Sequence, residues 1–316
     1  MSPGRPSAEA SLAPSQAASH LSGRGIHCLT LSGFVNVYFV EHAAGWALID
    51  SGSAGHAAAI EKEAERLFGD AKPTGIFLTH GHADHAGSAR ALAERWGVPI
   101  YASEAELPFL TGRCDYPRGD PHVGGPLGLV ARFIPTRSLD LGKYATPLFP
   151  EEEPGEMPGW KAVALPGHTP GQVGFWRESD RTLLCGDALT TRELNSWSHL
   201  PRGEGRIGMP PAPFTLDWFA VRKSVQRIGE LAPAYLGAGH GRPLSGDELG
   251  RKLETFLEYA TIARKGRYVA RPVRQRADGT LDIPVVPPDP AQSAAGLLVG
   301  AALLGAGWWL WKQARG

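Results

Sequence analysis

Three histidines and an aspartate crowd into the run Thr79-His80-Gly81-His82-Ala83-Asp84-His85, directly after the apolar, strand-like Ile76-Phe77-Leu78. Imidazoles at i and i+2 on an extended or turning backbone converge on one ion. Asp84 and His85, a step further on, reach toward a second ion beside it. A chain built this way must fold so that other strand ends bring the missing ligands to the same point.

Three later segments have the required form. Pro166-Gly167-His168-Thr169-Pro170-Gly171 places a histidine in a Pro/Gly turn after the strand-like Ala162-Val163-Ala164-Leu165. Leu183-Leu184-Cys185-Gly186-Asp187 ends an apolar run on a carboxylate, and Tyr235-Leu236-Gly237-Ala238-Gly239-His240 ends another on a histidine. Of the eleven histidines, His20, His27, His42, His56, His122 and His199 lack such a setting and read as ordinary hydrogen-bonded or solvated side chains.

The succession H-x-H-x-D-H, G-H-T-P-G, G-D and G-H-G resembles the metallo-β-lactamase-fold hydrolase superfamily, glyoxalase II and lactonase-like branch, from Ser32 to Leu257. The resemblance implies that His80, His82 and His168 bind one metal, that Asp84, His85 and His240 bind a second, and that Asp187 bridges them. It implies two divalent ions, zinc first, with iron or manganese as alternatives. Asp50-Ser51-Gly52 matches the family's early Asp-x-Gly, which supports the ligands from behind. A plain strand-to-helix turn with a capping side chain reads equally well there.

The chemistry so implied is cleavage of an ester, thioester or lactone-type bond of a small molecule by a metal-bridging hydroxide. The resemblance also implies for Asp84 the added catalytic duty of orienting that hydroxide. No Gly-x-Ser-x-Gly elbow competes as nucleophile, and Cys185 reads as a buried strand residue. A bridging Asp187 sets the chain apart from typical zinc β-lactamases. Enzymes of the glyoxalase II type share all seven ligand positions but carry a helical glutathione-binding region, whereas one obvious helix follows His240 here. Two readings from other classes stand beside this one: a mononuclear iron, persulfide-dioxygenase-like enzyme of the same fold, and a non-catalytic, membrane-tethered binding module.

Apolar and β-branched runs predict strands at Phe34–Val40, Trp46–Ile49, Ile76–Leu78, Trp160–Leu165, Val173–Trp176, Thr182–Leu184 and Ala234–Leu236. Helical stripes fall on Ala89, Leu92, Ala93 and Trp96, on Trp218, Val221, Val225 and Ile228, and on Leu249, Leu253, Phe256 and Leu257. Alternating strands and helices make an α/β chain, and the family resemblance implies the four-layer αββα sandwich. The Pro- and Gly-rich stretches 104–159 and 190–213 have the length of pocket walls or lids. They carry Tyr116, Arg118, His122 and Arg132, then Arg192, Trp197, His199 and Arg202.

Charge argues against a nucleic-acid partner: 32 basic residues balance 32 acidic ones, with no long basic run before Arg264. Cys28, Cys114 and Cys185 are widely spaced and suggest a reducing compartment. Residues 1–24 read as a disordered leader, 25–270 as the catalytic domain and 271–293 as a Pro-rich linker. Residues 294–311 carry no charge, end in Trp308, Trp309 and Trp311, and precede Lys312 and Arg315. They predict a C-terminal transmembrane helix anchoring a catalytic domain that faces the cytosol, or a soluble cytoplasmic protein if the segment does not insert.

Overall fold

Strand β1 (Ile26–Leu31) opens the fold, and β2 (Val35–His42) shows why strands form here. Val35, Val37 and Phe39 join one apolar cluster while Tyr38 and Val40 join another on the opposite face. In β3 (Gly45–Ile49), Trp46 and Leu48 separate from Ala47 and Ile49 in the same way. A period of two with both faces buried is what a sheet covered on both sides demands.

The computed structural model describes residues 24–199 and 203–285. Strands β1 to β3 continue through β4 (Ile76–Phe77), β5 (Ile100–Ser103) and β6 (Ala145–Leu148) into a six-stranded sheet in that order. It is antiparallel up to β3 and parallel from there on. Next come β7 (Lys161–Ala164), β8 (Val173–Arg177) and β9 (Thr182–Leu184); β10 (Thr190–Arg192) and β11 (Glu204–Gly208) pair apart from them. With β12 (Tyr235–Gly237) and β13 (Leu244–Ser245), a second sheet runs β13-β12-β9-β8-β7. A short hairpin, β14 (Arg274–Gln275) and β15 (Leu281–Asp282), closes the series.

Helices α1 (Ala57–Phe68), α2 (Ala83–Ala86), α3 (Ala89–Trp96), α4 (Leu107–Leu110) and α5 (Gly125–Ala131) belong to the first half. Ile60 and Ala64 of α1, with Leu92 and Ala93 of α3, pack on the outer face of the first sheet. Helices α6 (Trp218–Leu231) and α7 (Gly246–Tyr259) cover the outer face of the second through Trp218, Val221, Val225, Leu249 and Leu253; α8 (Arg267–Ala270) follows. The α6 stripe begins where Asp217 accepts hydrogen bonds from Phe219 N and Ala220 N, both at 2.9 Å, an N-cap that fixes the helix start.

Between the sheets lie Tyr38, Phe77, Tyr101, Trp160, Phe175 and Tyr235. Phe77 stacks on Tyr101 at 4.7 Å and meets Phe175 edge-on at 5.9 Å. Each such side chain, taken out of water, contributes about 1.5–3 kcal/mol. The layers therefore run helix, sheet, sheet, helix.

The expected transmembrane helix is not part of this architecture. No helix among the described residues is long and apolar enough to cross a membrane. The two longest, α6 and α7, have 14 residues each. At 1.5 Å per residue they reach about 21 Å against a hydrocarbon core of about 30 Å, and each is amphipathic. Residues 294–311 lie outside the described residues, as do 1–23 of the leader. Membrane anchoring of a catalytic domain facing the cytosol is therefore not supported. The chain separates into units 1–283 and 284–316, and every element named above belongs to the first.

Candidate metal centre

Five strand ends meet at one edge of the two sheets. The first sheet supplies Asp50 directly after β3, then Thr79 and His80 beyond β4. His82 caps the start of α2, which carries Asp84 and His85. The second sheet supplies His168 after β7, Asp187 after β9 and His240 after β12. Backbone bonds hold the two edges together: Val173 N donates to Thr79 O at 2.9 Å and Asn36 N to Gly239 O at 2.8 Å. Asn36 Nδ2 also reaches Ala238 O and Gly241 O, at 2.9 and 2.6 Å.

All seven sequence-predicted ligands come together here, in three overlapping donor groups. His80, His82 and His168 form one; His80, His85 and Asp187 a second; Asp84, His85 and His240 a third. Within them His82 Nδ1 lies 3.1 Å from His80 Nε2 and 3.0 Å from His168 Nε2. Asp187 reaches across, with Oδ1 3.5 Å from His85 Nε2 and Oδ2 3.2 Å from His240 Nε2 and 3.6 Å from His168 Nε2. Asp84 Oδ2 stands 3.5 Å from His240 Nε2 and 3.8 Å from His85 Nε2. His80, His85, His168, Asp187 and His240 are buried, while His82 and Asp84 reach the surface.

The far nitrogens of four imidazoles are tied down, which fixes what they present to the centre. Asp50 Oδ2 accepts from His85 Nδ1 at 2.8 Å and from Thr79 Oγ1 at 2.8 Å. That hydroxyl, having given its proton to Asp50, accepts from His80 Nδ1 at 3.1 Å. Thr215 Oγ1 donates to Pro211 O at 2.9 Å and accepts from His168 Nδ1 at 3.2 Å. His240 Nδ1 donates to Phe34 O at 2.9 Å. Each of these rings therefore turns Nε2 inward.

Protonation follows from burial and from the neighbours. Burial, with the crowding of other imidazoles, holds His80 and His168 well below the usual histidine range. Burial likewise brings His82 down to about 4, against the pull of Asp84. For His85 and His240 burial is outweighed, chiefly by Asp187, and both are pushed up. Asp187 is driven well below the carboxylate range by His240 and His85 in spite of its burial.

The residues fit a metal. His80 and His168 are neutral and both aim an Nε2 lone pair at His82 Nδ1, whose single proton can satisfy only one of them. His85 Nε2 and Asp187 Oδ1 are buried, face each other and make no hydrogen bond. Tetrahedral ligands at about 2.1 Å from one ion stand about 3.4 Å apart, and the donor separations here run from 3.0 to 3.8 Å around that value. A carboxylate and neutral imidazoles are the donors a borderline divalent ion prefers.

The family model described as the metallo-beta-lactamase superfamily matches residues 32–240, a span that contains every one of these donors. The chain belongs to the metallo-beta-lactamase superfamily. Within the superfamily it is 35% identical over 235 residues to the probable metallo-hydrolase YflN of Bacillus subtilis (strain 168), covering 71% of this chain and 87% of that one. It is 31% identical over 160 residues to the hydroxyacylglutathione hydrolase GloC of Haemophilus influenzae (strain ATCC 51907 / DSM 11121 / KW20 / Rd), covering 50% of this chain and 67% of that one. Among solved structures, the B3 metallo-beta-lactamase BLEG-1 superposes with a TM-score of 0.51 at 21% identity, over 73% of this chain and 99% of that one. At that identity the likeness shows the fold alone.

The long loops behave unevenly. Tyr116 is buried with its ring 4.6 Å from that of His82. His122 instead pairs with Asp120 at 3.3 Å, and Arg118 is exposed. Arg202 lies outside the described residues. Four residues not singled out from sequence for the site support it: Thr79, Thr215, Glu106 and Phe34. Thr79 sits beside the first histidine and was the most accessible of these to sequence reasoning. The other three are brought in by the fold from distant positions.

Proposed function

We propose that this protein is a metal-dependent hydrolase of small molecules, acting on an ester, thioester or lactone-type bond with two divalent ions. His80, His82 and His168 would hold one ion and Asp84, His85 and His240 the other, with Asp187 shared between them. The observation that carries this reading is the reach of Asp187, whose two oxygens lie within 3.6 Å of nitrogens from both sets. Similarity to YflN and GloC, both described as hydrolases, supports the reaction class. Bound divalent ions supply the Lewis acidity that makes a water nucleophilic near neutral pH and polarises the bond under attack.

The chain's own residues do the rest. Asp84, with 37% of its side chain exposed, is the carboxylate of the centre open to incoming water and substrate. It is placed to accept a hydrogen bond from the attacking water, orient it and take its proton. Asp187, buried and ionised, keeps the imidazoles of both sets in register. Phe34, its ring 4.3 Å from that of His240, and Phe214, 6.2 Å from that of His82, set apolar surface beside the centre.

Metal content per chain, measured together with turnover of a panel of lactones, esters, thioesters and phosphodiesters, tests the proposal. Zinc, manganese or iron near two per chain with metal-dependent turnover supports it, and full metal occupancy with no turnover sinks it. One iron per chain with oxygen consumption on a persulfide would replace it by the mononuclear iron reading.

A further inference from the structure

Glu106 is a completely buried carboxylate whose hydrogen-bond partners join two separate ligand loops. It lies between β5 and α4, its N–H bonded to Ser103 O at 2.8 Å. Oε2 accepts from Gly81 N at 2.9 Å, inside the loop between His80 and His82. Oε1 accepts from Gly171 N at 2.7 Å, in the loop that carries His168. The Tyr116 hydroxyl donates to Oε2 in a short contact and also accepts from Gly81 N at 3.2 Å. The Tyr116 ring, stacked on Phe109 at 4.0 Å, in turn backs the ring of His82.

We infer that Glu106 is a positioning residue: with Tyr116 it clamps the His80–His82 loop to the His168 loop and so sets how tightly this first donor group holds its ion. The inference rests on the reading of His80, His82 and His168 as metal ligands. Burying a carboxylate is costly unless its lone pairs are taken, so an apolar side chain would fill this space more cheaply. What an apolar side chain cannot do is accept from two N–H groups on different loops. The glycines corroborate the clamp. A Cβ on Gly81 would lie 2.6 Å from the Tyr116 hydroxyl oxygen, and one on Gly171 would lie 2.8 Å from Glu106 N and from Ala105 Cβ. Any other residue at either place would push the loops off the carboxylate. The glycine between the two histidines is thus explained by what grips it, and His80 and His168, from different sheets, each come to about 3 Å from His82 Nδ1 beside a clamp that is not itself among the three donors.

The test uses full-length, metal-stripped protein titrated with zinc against a competing chelator. In a His240→Ala background, which leaves the first donor group to be read alone, Glu106→Ala is expected to weaken zinc binding by about 10- to 100-fold. In a His82→Ala background, the same substitution should leave the remaining group within about threefold. Glu106→Gln, which keeps the shape and one acceptor oxygen, should recover part of the loss, and Tyr116→Phe should cost less than Glu106→Ala. Circular dichroism checks the fold; if Glu106→Ala does not fold, the shape-preserving Glu106→Gln carries the comparison and must itself weaken the first group. Equal losses at both groups, or a lower melting temperature with unchanged zinc affinity, would overturn the inference and leave Glu106 a general structural tie. Wild-type protein that takes up no zinc at the first group would overturn the reading of the site and the inference with it. Wild type that binds there while Glu106→Ala binds equally well overturns the inference alone.

Discussion

Asp50 holds His85 from behind: its Oδ2 accepts the Nδ1 proton at 2.8 Å, with both side chains buried. The same carboxylate accepts from Thr79 N at 2.8 Å and, through the Thr79 hydroxyl, orients His80 as well. Asp50 adopts φ +58°, a region that Asp and Asn tolerate better than other non-glycine residues. One residue therefore aims two imidazoles, one from each of the two proposed ion sets. Asp50→Ala is expected to lower metal affinity about 10- to 100-fold at both groups. Chelator competition on the purified variant measures this, and an unchanged affinity would reduce Asp50 to a turn residue.

Asp84 and Asp187 should separate in their effects. Asp84 is partly exposed and 3.5 Å or more from its imidazole neighbours, whereas Asp187 is buried among three of them. Asp84→Asn is expected to lower kcat by about 100-fold or more, the range for loss of a positioned proton acceptor, while retaining most of the bound metal. Asp187→Asn should lose metal and activity together. Metal analysis alongside steady-state kinetics distinguishes the two, and parallel losses in both variants would remove Asp84's separate role.

Phe34 is 38% exposed and its ring lies against His240, while its carbonyl is the group that accepts from that histidine. Truncation thus removes apolar surface without removing the hydrogen bond. Phe34→Ala is expected to raise KM for substrates with an apolar acyl group by about fivefold, about 1 kcal/mol of lost burial, with kcat nearly unchanged. A fall in kcat at constant KM would show instead that Phe34 acts through the position of His240.

Most of the ligands were legible because they stand beside a glycine at the end of an apolar run, and Asp84 and His85 because they follow His80 and His82 within a few residues; a short strand can point only a few residues at the sheet edge. His168, Asp187 and His240 all obey that rule. Glu106 does not: in Glu104-Ala105-Glu106-Leu107 nothing marks it, and its function exists only once β5 lies beside β4 and the loop after β7 arrives from the other sheet. Strand β2 was readable as an apolar and β-branched run. Strands β1 and β6 were not, because their half-buried faces mix polar residues such as His27, Thr30 and Thr146 with apolar ones. The apolar run at 294–311 pointed to a membrane span from composition and length alone, and the helices among the described residues contain none.

Acid should unfold the metal-stripped protein early. Three histidines, His80, His82 and His168, sit below their ordinary value of 6.5 in the folded state because burial disfavours the charged ring. The unfolded chain therefore binds more protons as pH falls from 6.5, and stability must fall with it. His82, brought down to about 4, takes part in that loss across the whole interval. His85 and His240 are displaced upward, so the stability they contribute is fully present below 6.5 and is lost only as pH rises through their folded values. Asp187 is displaced downward and acts below its ordinary value of 3.8. Neither effect opposes the loss between 6.5 and 4. Thermal melts of chelator-treated protein should show a steep drop in melting temperature across this interval, smaller in His82→Gln. Saturating zinc, which requires the same imidazoles to stay neutral, should raise stability most at the upper end of the interval and fade toward its lower end. A melting temperature flat from pH 6.5 to 4 without metal would mean that these imidazoles take up protons inside the fold and that their burial does not hold them neutral.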